Sequence, residues 1–190
     1  MKNIDAINEA CLALINGDLE KGRKIIAEEY PHKKPIDKRK SFTMKEKIEI
    51  FMRDGFIDRY TGDRLIFPGV LYVLHCVLPD VVPYQDNWKT DACHQAWWEL
   101  YPSVDHIIPL AVGGTNKKEN LVCTTYKRNQ AKLAARPEEI GWTLHPAGKL
   151  EDWDGKIYWF MDYVTNHSKL LDDKHIRDWY EACCALGIKP

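Results

Sequence analysis

The chain has 190 residues, of which 45% are hydrophobic and 29% charged, with a formal net charge of −1 at pH 7. These values are typical of one folded domain with or without helical extensions, and they exclude a disordered chain. The apolar run 66–78 is interrupted by Pro68, Gly69 and His75, so the sequence contains no membrane helix of roughly 20 apolar residues.

The N-terminus and the cysteines indicate a reducing compartment. No basic segment followed by an apolar stretch opens the chain, so the sequence predicts a cytoplasmic protein with no membrane partner. The six cysteines form no Cys-x-x-Cys pair, which favours buried thiols over a zinc ribbon. His75-Cys76 and Cys93-His94 together offer four zinc ligands, but neighbours on a helix diverge by about 100°, so packing is favoured.

Basic charge is concentrated in two segments of the chain. Residues 33–64 contain 10 Lys or Arg against 6 Asp or Glu, and residues 103–136 contain 6 against 2. Such segments are typical of surfaces that bind phosphates. For Lys33-Lys34 and Lys38-Arg39-Lys40 taken alone, a solvated linker explains the charge equally well.

The first predicted elements are helical. Apolar residues recur at helical spacing over 4–15 and 18–30 and predict a helical hairpin, followed by a proline-containing connector at 31–41. Thr43 with Glu46 three residues later predicts a capping box for the next helix, which Gly55 ends.

Further helices are predicted on both sides of the middle of the chain. Tyr60-Thr61-Gly62-Asp63 indicates a turn, followed by helices over 68–78 and 91–100. The C-terminal third predicts helices over 157–164 and 176–186 and is acidic.

A strand, a loop, a second strand and a helix are predicted between residues 104 and 137. Val104 to Ile108 and Leu121 to Thr125 are β-rich runs, and the loop between them contains Gly113-Gly114. A helix begins near Tyr126, with Pro137 expected to end it. On this helix Asn129 and Lys132 are three residues apart and share a face.

These residues resemble the HNH endonuclease family, whose core is a ββα-metal finger. The resemblance covers about 30 residues, a span that is short but specific in its combination of motifs. They are Asp105-His106, Pro109, Gly113-Gly114, Asn120-Leu121, Asn129 and Lys132. Weaker resemblance extends to Arg59-Tyr60-Thr61-Gly62 and Trp98-Glu99.

The resemblance implies a role for four residues. Asp105 resembles the first metal ligand, His106 the general base, Asn120 the residue that braces the loop carrying the base, and Asn129 the second metal ligand. For Asn120 taken alone, capping of a turn explains the residue equally well. It also implies DNA cleavage that leaves 5′-phosphate and 3′-hydroxyl ends. Many relatives have Cys-x-x-Cys pairs around the finger, but here the positions are Thr125 and Arg128, so no structural zinc is expected.

The residue types suit phosphodiester hydrolysis. Imidazole is largely neutral near pH 7, which makes His106 a suitable proton acceptor. Carboxylate and amide oxygens from Asp105 and Asn129 are hard donors that favour Mg²⁺ or Mn²⁺.

Further residues are candidates for support and for binding DNA. Lys127, Arg128 and Lys132 can contact phosphates. Arg59 could clamp a phosphate and Glu99 could support the metal or hold an arginine, but for each an ordinary ion pair is the more common explanation. In a regular strand Asp105 and His106 point to opposite faces, so one shared site requires the strand to end or bulge there.

We therefore expect an α+β protein with a small ββα finger, a two-stranded antiparallel hairpin plus helix, framed by N-terminal and C-terminal helices. Residues 1–42 are expected to form a helical extension and basic connector. Residues 43–190 are expected to form the nuclease domain, with the finger at 103–136 and C-terminal helices at 153–187. The expected function is a divalent-metal-dependent endonuclease acting on DNA, with RNA left open.

Two other functions fit parts of the sequence. A noncatalytic nucleic-acid-binding module could retain the finger as a fold, although binding alone does not need Asp105, His106 and Asn129 together. A helical interaction protein would show no affinity for DNA. Nothing in the sequence indicates the oligomeric state.

Overall fold

The computed structural model describes residues 3–32 and 34–190, so Lys33 of the first basic run lies outside the described residues. The described residues form eight α-helices and one two-stranded sheet, which confirms the α+β class. The elements are α1 Asn3–Ile15, α2 Leu19–Glu29, α3 Met44–Arg53, α4 Pro68–Val77, α5 Ala96–Glu99, β1 Pro102–His106, β2 Leu121–Thr125, α6 Tyr126–Lys132, α7 Ile157–Asn166 and α8 Lys174–Ala185. Each described helix is too short or too polar to cross a lipid bilayer.

The chain divides into two compact units, Met1–Pro35 and Ile36–Pro190. The boundary lies earlier than residue 42, so the C-terminal part of the basic connector belongs to the second unit. In the first unit α1 and α2 form the expected helical hairpin, in which Ala6, Ala10 and Ala13 are buried. Asp18 caps α2 by accepting a hydrogen bond from the Lys21 amide at 3.0 Å.

Aromatic side chains form the centre of the second unit. The Phe67 ring lies 5.1 Å from Phe160 and 5.3 Å from Trp179, centroid to centroid, in edge-to-face geometry. A Cβ atom at Gly69 would lie 2.5 Å from the Phe160 ring, so glycine lets α4 approach α7 closely. Helix α3 connects this core to the hairpin, since α3 contacts both β1 and β2.

The predicted capping box of α3 is confirmed. The Glu46 amide donates to Thr43 Oγ1 at 3.3 Å, and Glu46 Oε2 accepts from the Thr43 amide at 2.9 Å. Both bonds satisfy amides that the first turn of a helix leaves without partners.

The finger region is a hairpin followed by a helix. Strands β1 and β2 pair antiparallel from Pro102↔Thr125 to His106↔Leu121, without a bulge, and α6 contacts both strands. Whether a metal ion completes it stays a prediction.

The bounds of β1, α5 and α6 differ from the sequence expectation for structural reasons, whereas those of α4, α7 and α8 differ by one or two residues. Strand β1 runs Pro102–His106 rather than 104–108, because the Asn120 main chain and side chain take over the hydrogen bonds of Ile107 and Ile108. Helix α6 ends at Lys132, before Pro137, because Leu133 has a φ of 51° that a right-handed helix cannot adopt.

The helix expected over 91–100 is shortened to Ala96–Glu99. Upstream of it the chain turns, with Trp88 at a φ of 51°. The turn is stabilised by the Gln85 amide, which donates to Cys93 Sγ at 3.1 Å.

Candidate active site

The end of β1 carries the two residues that the sequence analysis ranks first. Asp105 pairs with Val122 and His106 with Leu121 in an unbroken ladder, so the strand itself directs the two side chains to opposite faces. The strand has neither a bulge nor an end before His106 that would turn the two side chains to the same face. His106 is the last residue of the ladder, and its imidazole nitrogens lie more than 4 Å from every described carboxylate oxygen. The site residues therefore adjoin along the backbone without direct contact between their side chains.

Asp105 lies in a nearly closed pocket. It is 6% exposed, and its Oδ2 accepts from the Tyr60 hydroxyl at 2.7 Å and lies 3.0 Å from Lys132 Nζ. Burial, reinforced by the Asp105 charge, raises the pKa of Tyr60 far above its usual value, so the phenol remains a donor.

Lys132 has a different role from the phosphate contact expected from the sequence. Its side chain is inaccessible, and its Nζ donates to the His106 carbonyl at 2.8 Å while pairing with Asp105. A buried ammonium is stable when it is paired and hydrogen-bonded. Lys132 is thus the internal cation of the site, and it links α6 to the last two residues of β1.

His106 is held by a residue that the sequence analysis did not single out. Its Nε2 lies 3.0 Å from Asn116 Oδ1, and its ring is 5.9 Å from the Phe42 ring. Asn116 Nδ2 donates to the Lys38 carbonyl at 3.0 Å. Because a carbonyl only accepts, this bond directs Asn116 Oδ1 to the imidazole, so Nε2 carries the proton and the lone pair is on Nδ1.

The loop between the strands is closed by Asn120. Its Oδ1 accepts from the Ile108 amide at 2.8 Å, while its Nδ2 donates to the carbonyls of Ile108 at 2.9 Å and Thr115 at 2.8 Å. A Cβ atom at Gly114 would lie 1.8 Å from the Ile108 carbonyl oxygen, so glycine is required for this closure. Asn120 therefore lies where a brace for the loop after His106 is needed.

Asn129 connects α6 to β1 just before Asp105. Its Nδ2 donates to the Ser103 hydroxyl at 2.8 Å and to the Val104 carbonyl at 3.0 Å. These two bonds use the amide donors and leave Oδ1 as an acceptor.

The donor chemistry fits a divalent ion with few protein ligands. Asp105 Oδ1 and Asn129 Oδ1 accept no hydrogen bond from the described part of the chain, and both are oxygens of the kind that Mg²⁺ prefers. The Lys132 ammonium lies 3.0 Å from Asp105 Oδ2, so an ion bound there would compete with it for the carboxylate. Within residues 3–32 and 34–190, no group of three or more His, Cys, Asp or Glu is arranged to hold a metal ion.

Two buried aspartates that the sequence analysis missed attach β2 to the core. Asp54 Oδ2 accepts from the Cys123 amide at 2.8 Å, and Asp58 Oδ2 accepts from the Thr125 amide at 3.1 Å; both carboxylates are fully buried. Their signal in the sequence is weak, because an aspartate next to an arginine is usually a surface pair. They replace a neighbouring strand along the outer edge of the hairpin.

These aspartates also engage two cations expected to bind DNA. Arg59 Nη1 donates to Asp54 at 3.1 Å and its Nε to the His145 carbonyl at 2.6 Å, with 17% of the side chain exposed. Arg128 Nε lies 3.2 Å from Asp58 Oδ2, and its guanidinium lies over the Trp142 ring. Arg59 therefore forms the ion pair that the sequence analysis favours over a phosphate clamp, because its guanidinium is committed to Asp54 and to the His145 carbonyl.

Lys127 and Glu99 lie near the other end of the hairpin. Lys127 is 67% exposed and its Nζ is 3.8 Å from Glu99 Oε1. Both line a groove of about 630 Å³ that includes Thr125, the residue paired with Pro102 at the far end of the ladder from His106. Glu99 thus forms the surface ion pair that its sequence context favours, and the exposed Lys127 is its partner.

Comparisons of the chain with protein-family models, with curated proteins and with solved structures found no match.

Proposed function

We propose that the protein is a divalent-metal-dependent endonuclease that hydrolyses DNA phosphodiester bonds with His106 as the general base. The observation that carries the proposal is the state of the His106 ring. Asn116 holds Nε2 at 3.0 Å, so Nδ1 carries a lone pair that is free of hydrogen bonds from the described part of the chain. An oriented imidazole with one ring nitrogen held and the other free to accept a proton is the arrangement that water activation requires.

Each neighbouring residue supports one part of this chemistry. His106 Nδ1 accepts a proton from a water whose oxygen bonds to phosphorus. The bond from phosphorus to the 3′ oxygen breaks, and that oxygen takes a proton from solvent to become the 3′-hydroxyl. Asn120 keeps the loop after His106 closed through its three side-chain bonds. Asn116 maintains the tautomer, so it acts as a positioning residue.

Asp105 and Asn129 would hold Mg²⁺ or Mn²⁺ through their free oxygens. When bound, the ion supplies Lewis-acid stabilisation of the charge that develops on the phosphate and the departing oxygen. Lys132 neutralises the buried Asp105 carboxylate at 3.0 Å. Exposed Lys127 is positioned to contact the DNA backbone rather than the reacting group.

The test is cleavage of supercoiled plasmid by His106→Ala. Loss of a general base lowers rates by roughly 10²- to 10⁴-fold, whereas duplex affinity in EDTA should stay within about twofold, because the variant removes no cation. His32→Ala is the matched control, since His32 is exposed and belongs to the first compact unit. Full activity in His106→Ala, with an unchanged melting temperature, would refute the assignment.

A binding-only module is the second candidate, and the occupied state of Asp105 favours it. The Lys132 ammonium already neutralises the Asp105 carboxylate at 3.0 Å, so the fold does not need a metal ion at this position. This candidate predicts DNA binding without cutting in Mg²⁺ or Mn²⁺. Nicking that EDTA stops would eliminate it, and the absence of any DNA binding at low salt would eliminate both candidates in favour of a helical interaction protein.

A further inference from the structure

The basic connector is built into the candidate active site rather than being a free linker. We name residues 37–42 the arm. Asn116, the partner of His106, donates its backbone amide to Asp37 Oδ2 at 2.7 Å and its Nδ2 to the Lys38 carbonyl at 3.0 Å. One residue therefore holds both the imidazole and the start of the arm.

The other end of the arm is fixed as well. Lys40 pairs with Glu46 in the first turn of α3, and the Phe42 ring packs 5.9 Å from the His106 ring. The Thr43 capping box follows directly. The arm thus crosses the His106 side of the hairpin between two anchors, which limits the entropy that ligand binding must remove.

Cations on and beside the arm are exposed and uncompensated. Lys38, Arg39 and Lys117 are all exposed, and none lies within 4 Å of a carboxylate in the described part of the chain. The neighbouring cations Lys40 and Lys118 are neutralised by Glu46 and Glu49. Among the cations of the arm and of the loop around Asn116, the uncompensated ones are therefore Lys38, which bonds to Asn116, and its neighbour Arg39, with Lys117 next to Asn116 in sequence.

From this arrangement we infer that the arm binds the phosphate backbone of the DNA strand next to the scissile phosphate, through Lys38 and Arg39 with Lys117 beside them. This inference rests on the proposed function and adds a substrate-binding element to it. Anchored cations near the base would fix the register of the strand over His106. Backbone phosphates are the matching partner because they present regularly spaced negative charge.

The test compares Lys38→Gln/Arg39→Gln with the wild type in duplex binding from 0.1 to 1 M salt, in EDTA. Each phosphate contact contributes about 0.9 to the slope of log K against log salt. The double variant should lower the slope by about 1.8, a loss of roughly 60-fold in affinity at 0.1 M salt that vanishes near 1 M. The backbone carbonyl of Lys38 remains, so the bond from Asn116 is preserved.

Lys169→Gln/Lys189→Gln is the matched control, because it removes the same charge from two exposed lysines in the acidic C-terminal region. Its slope should change by much less than 1. Equal effects of the two double variants would overturn the arm as a specific contact.

A second measurement locates the contact. Once the cut is mapped, single phosphates near it are replaced by uncharged methylphosphonates. One or two positions should weaken wild-type binding without weakening the double variant further. If every position affects both proteins equally, the arm does not contact the backbone there. If the wild type cuts DNA and EDTA stops the cutting, but the wild type and the double variant have equal salt slopes, only the role of the arm is refuted. If the wild type neither binds nor cuts DNA, the proposed function itself is refuted.

Discussion

Lys132→Met tests whether the buried ion pair holds α6 against β1. The side chain is 1% exposed, and its Nζ lies 3.0 Å from Asp105 Oδ2 and 2.8 Å from the His106 carbonyl. Methionine keeps an unbranched apolar chain but deletes the ammonium. The Asp105 carboxylate, 6% exposed, then retains the Tyr60 hydroxyl as its side-chain donor in the described part of the chain.

Removing one partner of a buried ion pair costs about 3–5 kcal/mol, because the other charge is left uncompensated. The remaining bond from Tyr60 places the expected loss at about 3 kcal/mol in the free energy of unfolding. For a chain of this size that lowers the melting temperature by about 6–12 °C. Urea unfolding in EDTA, followed by tryptophan fluorescence, measures the free energy of unfolding of the second unit, because all seven tryptophans lie there.

A double-mutant cycle with Asp105→Asn isolates the pair. The Asp105→Asn/Lys132→Met variant carries neither charge, so it should recover part of the loss, with a coupling of about 1–3 kcal/mol. Additive effects, or a loss below about 1 kcal/mol in Lys132→Met, would refute the reasoning.

The same variants test metal binding without an activity assay. If Asp105 binds the ion, Mg²⁺ at ten times its Kd should stabilise Lys132→Met by about 1.4 kcal/mol. The wild type should gain less, because there the ion competes with the ammonium for the carboxylate. Asp105→Asn is the control and should gain little.

Two further predictions concern the scaffold. The hydrogen bond from Lys40, followed by those from Thr43, lowers the pKa of Glu46 from 4.5 to about 2, so its stabilisation is complete above pH 4.5 and disappears as the pH falls through 2. Glu46→Gln should lower the melting temperature near pH 7, and a difference from the wild type that stays constant between pH 5 and pH 2 would contradict this. Burial raises the pKa of Cys123 well above 9.0 and that of Cys183 to about 12, so a thiol reagent at pH 7 should modify the three exposed cysteines first; rapid modification of Cys123 in the folded protein, seen by peptide mapping, would disprove its burial.

Local sequence patterns were sufficient for the elements around the site. The Thr43 capping box, the helical hairpin and the order of strand, loop, strand and helix depend on residues a few positions apart, and the structure contains all of them. The Gly114 position is also a local signal, because a tight loop leaves no space for a Cβ atom. The boundary of α6 was missed because Leu133, with a φ of 51°, ends the helix without proline or glycine. That of α5 was missed because the chain before Ala96 forms a turn, in which the His94 amide donates to the Pro83 carbonyl at 2.9 Å.

The partners of the polar side chains depended on tertiary structure. Lys132 bonds to a residue 26 positions away, and Asn116 bonds to Lys38 at a separation of 78. Charge alone suggested that Lys132 contacts phosphates, but folding buries it against Asp105. For Arg59 the sequence favoured an ion pair, and only the fold shows that its partner is Asp54. The type of a side chain determines which hydrogen bonds it can make. Only the tertiary structure determines which partner lies within bonding distance and whether water is excluded from the pair.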